Sequence, residues 1–388
     1  MITTAFAYIT ALLFIAGSLT LLEQKYRWKL FEYLPAIVLL YFSVMLFSTL
    51  GLWQKTESIN GAYQSLKINV LPAMIFLMLL DADLRQIRKL GSKMLLAFFA
   101  AALSIGLAFV LAFTLFLPYL PPQAWKTFAA LSGSWMGGTG NMAAVQAALN
   151  VPDTSMGYTL LIDSIDYAMW VMFLLALVPF AKRFNHWVGA DSKLLEQVSA
   201  GLAQRGPPAE GDKTSQLLIL LSGSMLVSVI AQAIAEQLPV SAFFTTTAWT
   251  VMLVTLLGVI AAMTPVSKIW GGKELSGLML YLIIALIASR ANFNQLTEAP
   301  VYIVMGLVIL LIHGVLMVIV AKLFKLDLFT CGIASLANIG GVASAPILAA
   351  AYSRALIPVG VLMAMLGYII GTGGGLLVGR IMAWVSVL

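Results

Sequence analysis

Cysteine and histidine are nearly missing from this sequence, and charge is scarce. Cys331 stands alone, so no disulfide can form within the chain. His186 and His313, far apart in sequence, make a poor zinc set with that single thiol. Charged residues make up 10% of the chain, against about 25% in a soluble domain, which excludes a soluble globular fold. Catalytic signatures are missing too. "GGTGN" lacks the Lys-Ser/Thr that completes a phosphate-binding loop, and neither HExxH nor GxSxG occurs. The chain is therefore not read as an enzyme, no cofactor is implied beyond a possible Na+, and any transport must run on an ion gradient. The net charge of +6 is scattered through short loops, as the positive-inside rule places it. It is not gathered into a nucleic-acid patch.

What the chain does have is apolar length. It is 61% hydrophobic and carries many runs of the roughly 20 residues a membrane helix needs. Without alternating polarity these runs read as helices rather than as barrel strands. The fold class is all-α and polytopic, an integral membrane protein expected in a bacterial inner membrane. Hydrophobic segments centre near residues 14, 42, 75, 105, 137 and 168, then near 225, 254, 281, 311, 341 and 370. The first, about Ala5 to Leu22, has no basic leader or small-residue cleavage site and reads as a retained helix. The polar stretch 182–214, with Gly206, Pro207 and Pro208, reads as a linker with a short surface helix near Lys193–Leu202. The expected organisation is a first membrane repeat over 1–181, the linker, and a second repeat over 215–388.

A shift of about 203 residues lays one half on the other. "LSGSWMGGTGNMAAVQAAL" falls on "ASLANIGGVASAPILAAAY", so Gly137 and Gly138 meet Gly340 and Gly341, Ser132 meets Ser335, and Asn141 meets Ser344. Each half thus carries a glycine-broken helix at the same place. Irregular backbone at membrane depth is tolerated only inside protein or beside a watery cavity. Paired broken segments at matching positions point to a transporter site.

The segment after the first break holds two carboxylates, Asp163 and Asp166, three apart on one helix face. A carboxylate there costs about 2.5–3.5 kcal/mol on insertion scales and calls for a cation, a proton or a donor. These two are the candidate ion-coupling residues. An intramembrane aspartyl protease would instead place its acids on separate helices. The second half has Leu366 and Ile369 at the matching positions and offers Tyr368 and Thr372 instead. Gly371, Gly375 and Gly379, four apart, read as a packing stripe. Asp81 and Asp83 read as anchors beside a basic loop. His313, mid-segment, could relay a proton or simply bond a neighbour.

The two glycine regions, "GGTGNMAAVQAALNVPDTSMGYTLLIDSIDYAMW" and "ANIGGVASAPILAAAYSRALIPVGVLMAMLGYIIGTGGG", resemble the signature regions of the YjcL-like family, domain of unknown function 819. The resemblance covers nearly the whole chain. It implies membership of the cation/proton antiporter and anion transporter superfamily. That in turn implies a core domain with two crossed broken helices, a panel domain carrying a homodimer interface, and elevator-type transport. It maps the antiporters' ion-binding aspartate onto Asp163 and Asp166, although here the acids are spread three residues apart. It also implies a substrate site near the crossing, where Ser132, Ser134, Gly137, Gly138, Thr139, Asn141, Ser335, Asn338, Gly340, Gly341 and Ser344 would serve. Tyr167, Tyr368 and Thr372 would stand behind them.

Crossing parity raises a conflict. With each break counted as a crossing, six crossings lead from one to the other, which makes the repeats parallel, whereas the superfamily's repeats are inverted. The basic loops 85–93 and 182–183, 268–273 and 322–325 also fall on opposite sides under that count, against the positive-inside bias. An error between residues 94 and 214 would remove both conflicts, and the expectation stays at eleven to thirteen transmembrane helices. Functionally, the expectation is a Na+- or H+-coupled transporter of a small carboxylate-bearing solute (an amino acid, short peptide or organic acid). The alternative is a monovalent cation/proton antiporter with no organic substrate. Its partners would be that solute, its ion and the lipid bilayer.

Overall fold

The structure, a computed structural model, describes residues 1–26, 36–80, 82, 84–87, 90–190, 212–241, 245–293, 299–352 and 356–387. Asp81, Asp83 and the surface helix expected near Lys193–Leu202 lie outside the described residues. Among the described residues the secondary structure is helical apart from one isolated bridge, Ile2 to Trp53.

The first half supplies α1 (Ala5–Tyr26), α2 (Ala36–Thr49), α3 (Glu57–Leu79), α4 (Gly91–Phe116), α5 (Ala124–Gly137), α6 (Thr139–Ala148) and α7 (Met156–Leu177). The linker region adds α8 (Ala181–Val188). The second half supplies α9 (Lys213–Ala235), α10 (Thr246–Ala262), α11 (Gly272–Ala288), α12 (Ala299–Phe324), α13 (Leu328–Ile339), α14 (Gly341–Tyr352) and α15 (Ile357–Val385). Several starts are capped as their sequences demand. Thr56, Asp212, Thr245 and Asp327 each accept a first-turn amide of α3, α9, α10 and α13.

Among the described residues, seven helical stretches are long and apolar enough to cross a membrane. The chain is an integral membrane protein, and α4 shows why. Its inner face buries Ala97, Ala101, Ile105, Ala108 and Ala112, while Leu103, Leu107, Leu111 and Leu115 form an exposed stripe. A helix apolar on both faces has protein on one side and hydrocarbon on the other.

Two sets of helices pack chiefly among themselves. In the first, α3 lies against α9, α10 and α11, with α1 and α2 beside α11. In the second, α15 lies against α4, α5, α13 and α14, and α12 joins α4 to α7. Each sequence half contributes to both sets. The packing division therefore cuts across the two sequence halves. Helix α6 closes the seam, touching α3 and α10.

The glycine breaks do not make kinked crossings, which corrects the sequence reading. An added Cβ on Gly133 would lie 2.8 Å from Val145 and 3.2 Å from the Asn141 carbonyl oxygen. So α5 and α6 run side by side in opposite directions, turning at Gly138, whose φ of 86° suits glycine. Likewise Gly332 of α13 faces Leu348 of α14 at 3.0 Å, with the turn at Gly340 and Gly341. Both are hairpins.

The hairpins enter from opposite ends. At the terminal end of the bundle, Tyr8 and Trp53 reach Ser289, Thr245 caps toward the Ala148 carbonyl, and Asp153 bonds Lys67. At the linker end, Leu79 packs on Gly258, Gln216 bonds the Trp270 amide, and Asn185 of α8 bonds the first amide of α13. The base of the α5–α6 hairpin lies at the terminal end, and that of α13–α14 at the linker end.

Candidate functional site

The two hairpin tips meet on α15. An added Cβ on Gly367 would fall 3.2 Å from the Met136 carbonyl, 3.3 Å from the Ala337 carbonyl and 3.3 Å from Gly137 Cα. Both hairpins therefore rest on one residue without a side chain. Gly371 and Gly375 continue the contact onto Gly137 and Gly133, and Gly379 meets Ala129. The packing stripe read from the sequence is the surface that receives the first hairpin. Asn141 ties the tip together: its Nδ2 donates to the Gly137 carbonyl at 2.6 Å, and its Oδ1 accepts from Thr372 at 2.6 Å.

Helix α7 runs beside both tips. Asp163 Oδ1 accepts from Ser134 Oγ and Trp135 Nε1, each at 3.0 Å, which binds α7 to the first hairpin. Asp166 turns elsewhere. It is buried at 0% exposure, and neither carboxylate oxygen has a hydrogen-bond partner. It lies on α12, so close that an added Cβ on Gly306 would overlap its Oδ2 at 1.8 Å. The two aspartates thus do not share one site as expected. Spacing by three leaves about 60° between them around the helix, enough to face different neighbours here.

Tyr167 and Trp170 face the second hairpin. The Tyr167 ring packs on Gly340, and Trp170 Nε1 donates to Ser335 Oγ at 2.8 Å. The chain of bonds continues through His313. Ser335 Oγ bonds His313 Nε2 at 2.8 Å, His313 Nδ1 bonds Ser104 Oγ at 2.7 Å, and Ser104 donates to the Ala101 carbonyl. Donation closes along this path when Nδ1 carries the ring proton. Four elements (α7, α13, α12 and α4) are joined by one buried polar thread.

The expected substrate set is only partly brought together. Gly137, Gly138, Asn141, Thr372, Gly340 and Tyr167 gather around the crossing. Gly341 is buried at the second tip with φ 58°, Thr139 sits half-buried at the first, and Tyr368 packs on Gly138. Ser344 is buried beside Gly340, next to Tyr167. Ser132, however, bonds its own helix at Ala129. Ser335 is consumed by Trp170 and His313, and Asn338 donates to the Ala334 and Phe98 carbonyls. Ser132 and Ser335 lie more than a turn back from the tips, whereas Asn338 stands at the second tip with its Oδ1 buried and unpartnered. Ser134 is spent on Asp163. Contributing positions that carried no expectation include Ser104, Trp135, Gly306 and Gly367. A lone serine inside an apolar run such as "AALSIGLAF" is the kind of signal that could have marked the first.

Comparison with known proteins fits this architecture to a family. The family model described as Protein of unknown function (DUF819) matches residues 10–385. The chain belongs to this family. It is also similar to the "Uncharacterized membrane protein YjcL" of Bacillus subtilis (strain 168), 25% identical over 374 residues, covering 92% of each chain. The match spans both hairpins and Gly367.

Proposed function

We propose that the chain is a secondary transporter, coupling Na+ or H+ to a small carboxylate-bearing solute by an elevator-type movement. The observation that carries this reading is the meeting of two oppositely entering hairpins on Gly367, together with a buried, unpartnered carboxylate, Asp166, on the helix that runs beside the tips. An ionised Asp166 without a donor costs several kcal/mol, so a mobile cation or proton is the natural balance. The tips supply what an organic anion needs. Helices α6 and α14 both begin inside the bundle, and helix starts present free amides.

On this reading the repeats are inverted. Counting the glycine-broken segments as hairpins leaves α7 and α9 to α12 between them, an odd number, and the parity conflict disappears. The basic residues Arg85, Lys182, Arg183, Lys268, Lys273 and Lys322 then share the linker end, which becomes the cytoplasmic side. The set α1–α3 with α9–α11 would be the static panel, carrying the homodimer interface. The set with the hairpins would move. Placement in the cation/proton antiporter and anion transporter superfamily is part of the same proposal.

A second reading, monovalent cation/proton antiport, is favoured by one observation: Asp166 faces helix backbone rather than the hairpin tips. Charge movement on a solid-supported membrane after Na+ or pH jumps separates the two. The transporter reading expects current that appears with one organic acid, amino acid or dipeptide and is lost in Asp166→Asn. Current from cations alone, unchanged by every solute, would establish the antiporter. Asp163→Asn should retain fold and partial function, since an amide oxygen still accepts from Ser134 and Trp135.

A further inference from the structure

At the terminal end of the bundle lies a cavity of about 300 Å³, bounded by Lys55, Asn60 and Tyr63 at the start of α3, by Asp153 after the first hairpin, and by Arg290 after α11. It is separate from the crossing at Gly367. We propose that this cavity binds the carboxylate of a small organic anion.

The charges in it are unequally spent. Asp153 is its one acid, and that acid is fully engaged. Oδ1 accepts from Lys67 Nζ at 2.7 Å and from Gln146 Nε2 at 2.6 Å, while Oδ2 takes the Tyr63 hydroxyl. Lys67 and Asp153 thus cancel. Two cations remain over. Lys55 is exposed and has no ion pair among the described residues. Arg290 is more telling. Its guanidinium stacks on the Tyr63 ring, 4.3 Å from the centroid, and its Nη1 donates to Asn60 at 2.6 Å. Its Nη2 is buried with no hydrogen bond of normal geometry, in the neighbourhood of the Tyr8 hydroxyl. A charged donor withdrawn from water and left unbonded is costly, and that cost is removed when an acceptor arrives. The stack and the Asn60 bond hold the guanidinium in one plane at the cavity wall. A carboxylate between Arg290 and Lys55 would supply the missing acceptor and balance the surplus charge. The volume admits a small acid and not a macromolecule.

The cavity also lies where the helix sets meet. Asn60 and Arg290 belong to one set, and Asp153 follows the hairpin of the other. This binding site does not depend on the transport reading, because binding needs no gradient.

The test is calorimetric titration of the purified full chain in nanodiscs with glutarate, glutamate, acetate and inorganic phosphate. Carboxylates should bind, and Arg290→Gln should weaken binding about tenfold or more, with Arg290→Lys intermediate and Lys55→Gln weaker in effect. Thermal unfolding of each variant in the same nanodiscs checks that the fold is kept. Preference for phosphate over every carboxylate would overturn the ligand class. Affinity unchanged in folded Arg290→Gln would place the anion elsewhere, the hairpin crossing included, and overturn the site. No binding of any probe by folded wild-type protein would overturn it as well.

Discussion

Gly137 has no room for a methyl group. An added Cβ would lie 2.4 Å from the Gly367 carbonyl oxygen and 2.8 Å from Gly371 Cα, both backbone atoms that cannot rotate away. Gly137→Ala should therefore cost about 1–3 kcal/mol, the usual range for overpacking, read as a lowered unfolding midpoint in detergent. Gly223→Ala, where an added Cβ meets nothing within 4 Å, should show no loss. At this scale the sequence was informative about kind and poor about direction. It marked Asp163 and Asp166 because carboxylates are rare in apolar helices. It could not say that one would be satisfied by Ser134 and Trp135 and the other left against Gly306. That outcome depends on which helices pack on each side of α7. The same holds for Ser335, whose hydroxyl is engaged by Trp170 and His313.

Among the elements, the hairpins matter most. Hydropathy located them, at centres near 137 and 341, and the helices α1, α2, α4, α7 and α9 to α12 also fall on the expected segments. Yet a hydropathy window reports apolar length, not direction. A run of 25 residues rising about 1.5 Å each is long enough to span, so a hairpin of two short helices reads as one crossing. Only the contacts of Gly133 with Val145 and of Gly332 with Leu348 distinguish the two. The seam between the helix sets gives a test of movement. Thr245 of the α10 cap donates to the Ala148 carbonyl at the end of α6, 3.0 Å away. In a Cys331→Ser background, a Thr245→Cys/Ala148→Cys pair should crosslink with Hg2+ and arrest solute-driven current, with recovery on thiol treatment. Full activity in the crosslinked protein would rule out sliding of one set against the other.

For the molecule as a whole, sidedness is the open quantity that the fold now constrains. The loop holding Pro122 lies at the terminal end, and the loop holding Lys268 lies at the linker end among the basic residues. With Cys331→Ser as background, Pro122→Cys should react with a membrane-impermeant maleimide in intact cells. Lys268→Cys should react only after permeabilisation. The reverse pattern would invert the topology and set it against the positive-inside bias. The membrane class, the helical character and the presence of glycine turns followed from the sequence by itself. Composition and periodicity are local properties, and the bilayer admits few structures. The tertiary structure alone decided that each break is a hairpin, that the tips meet on Gly367, and that Asp166 is left without a partner. Each of these is a contact between residues far apart in the chain, and such contacts are set by packing around backbone that carries no side chain to announce it.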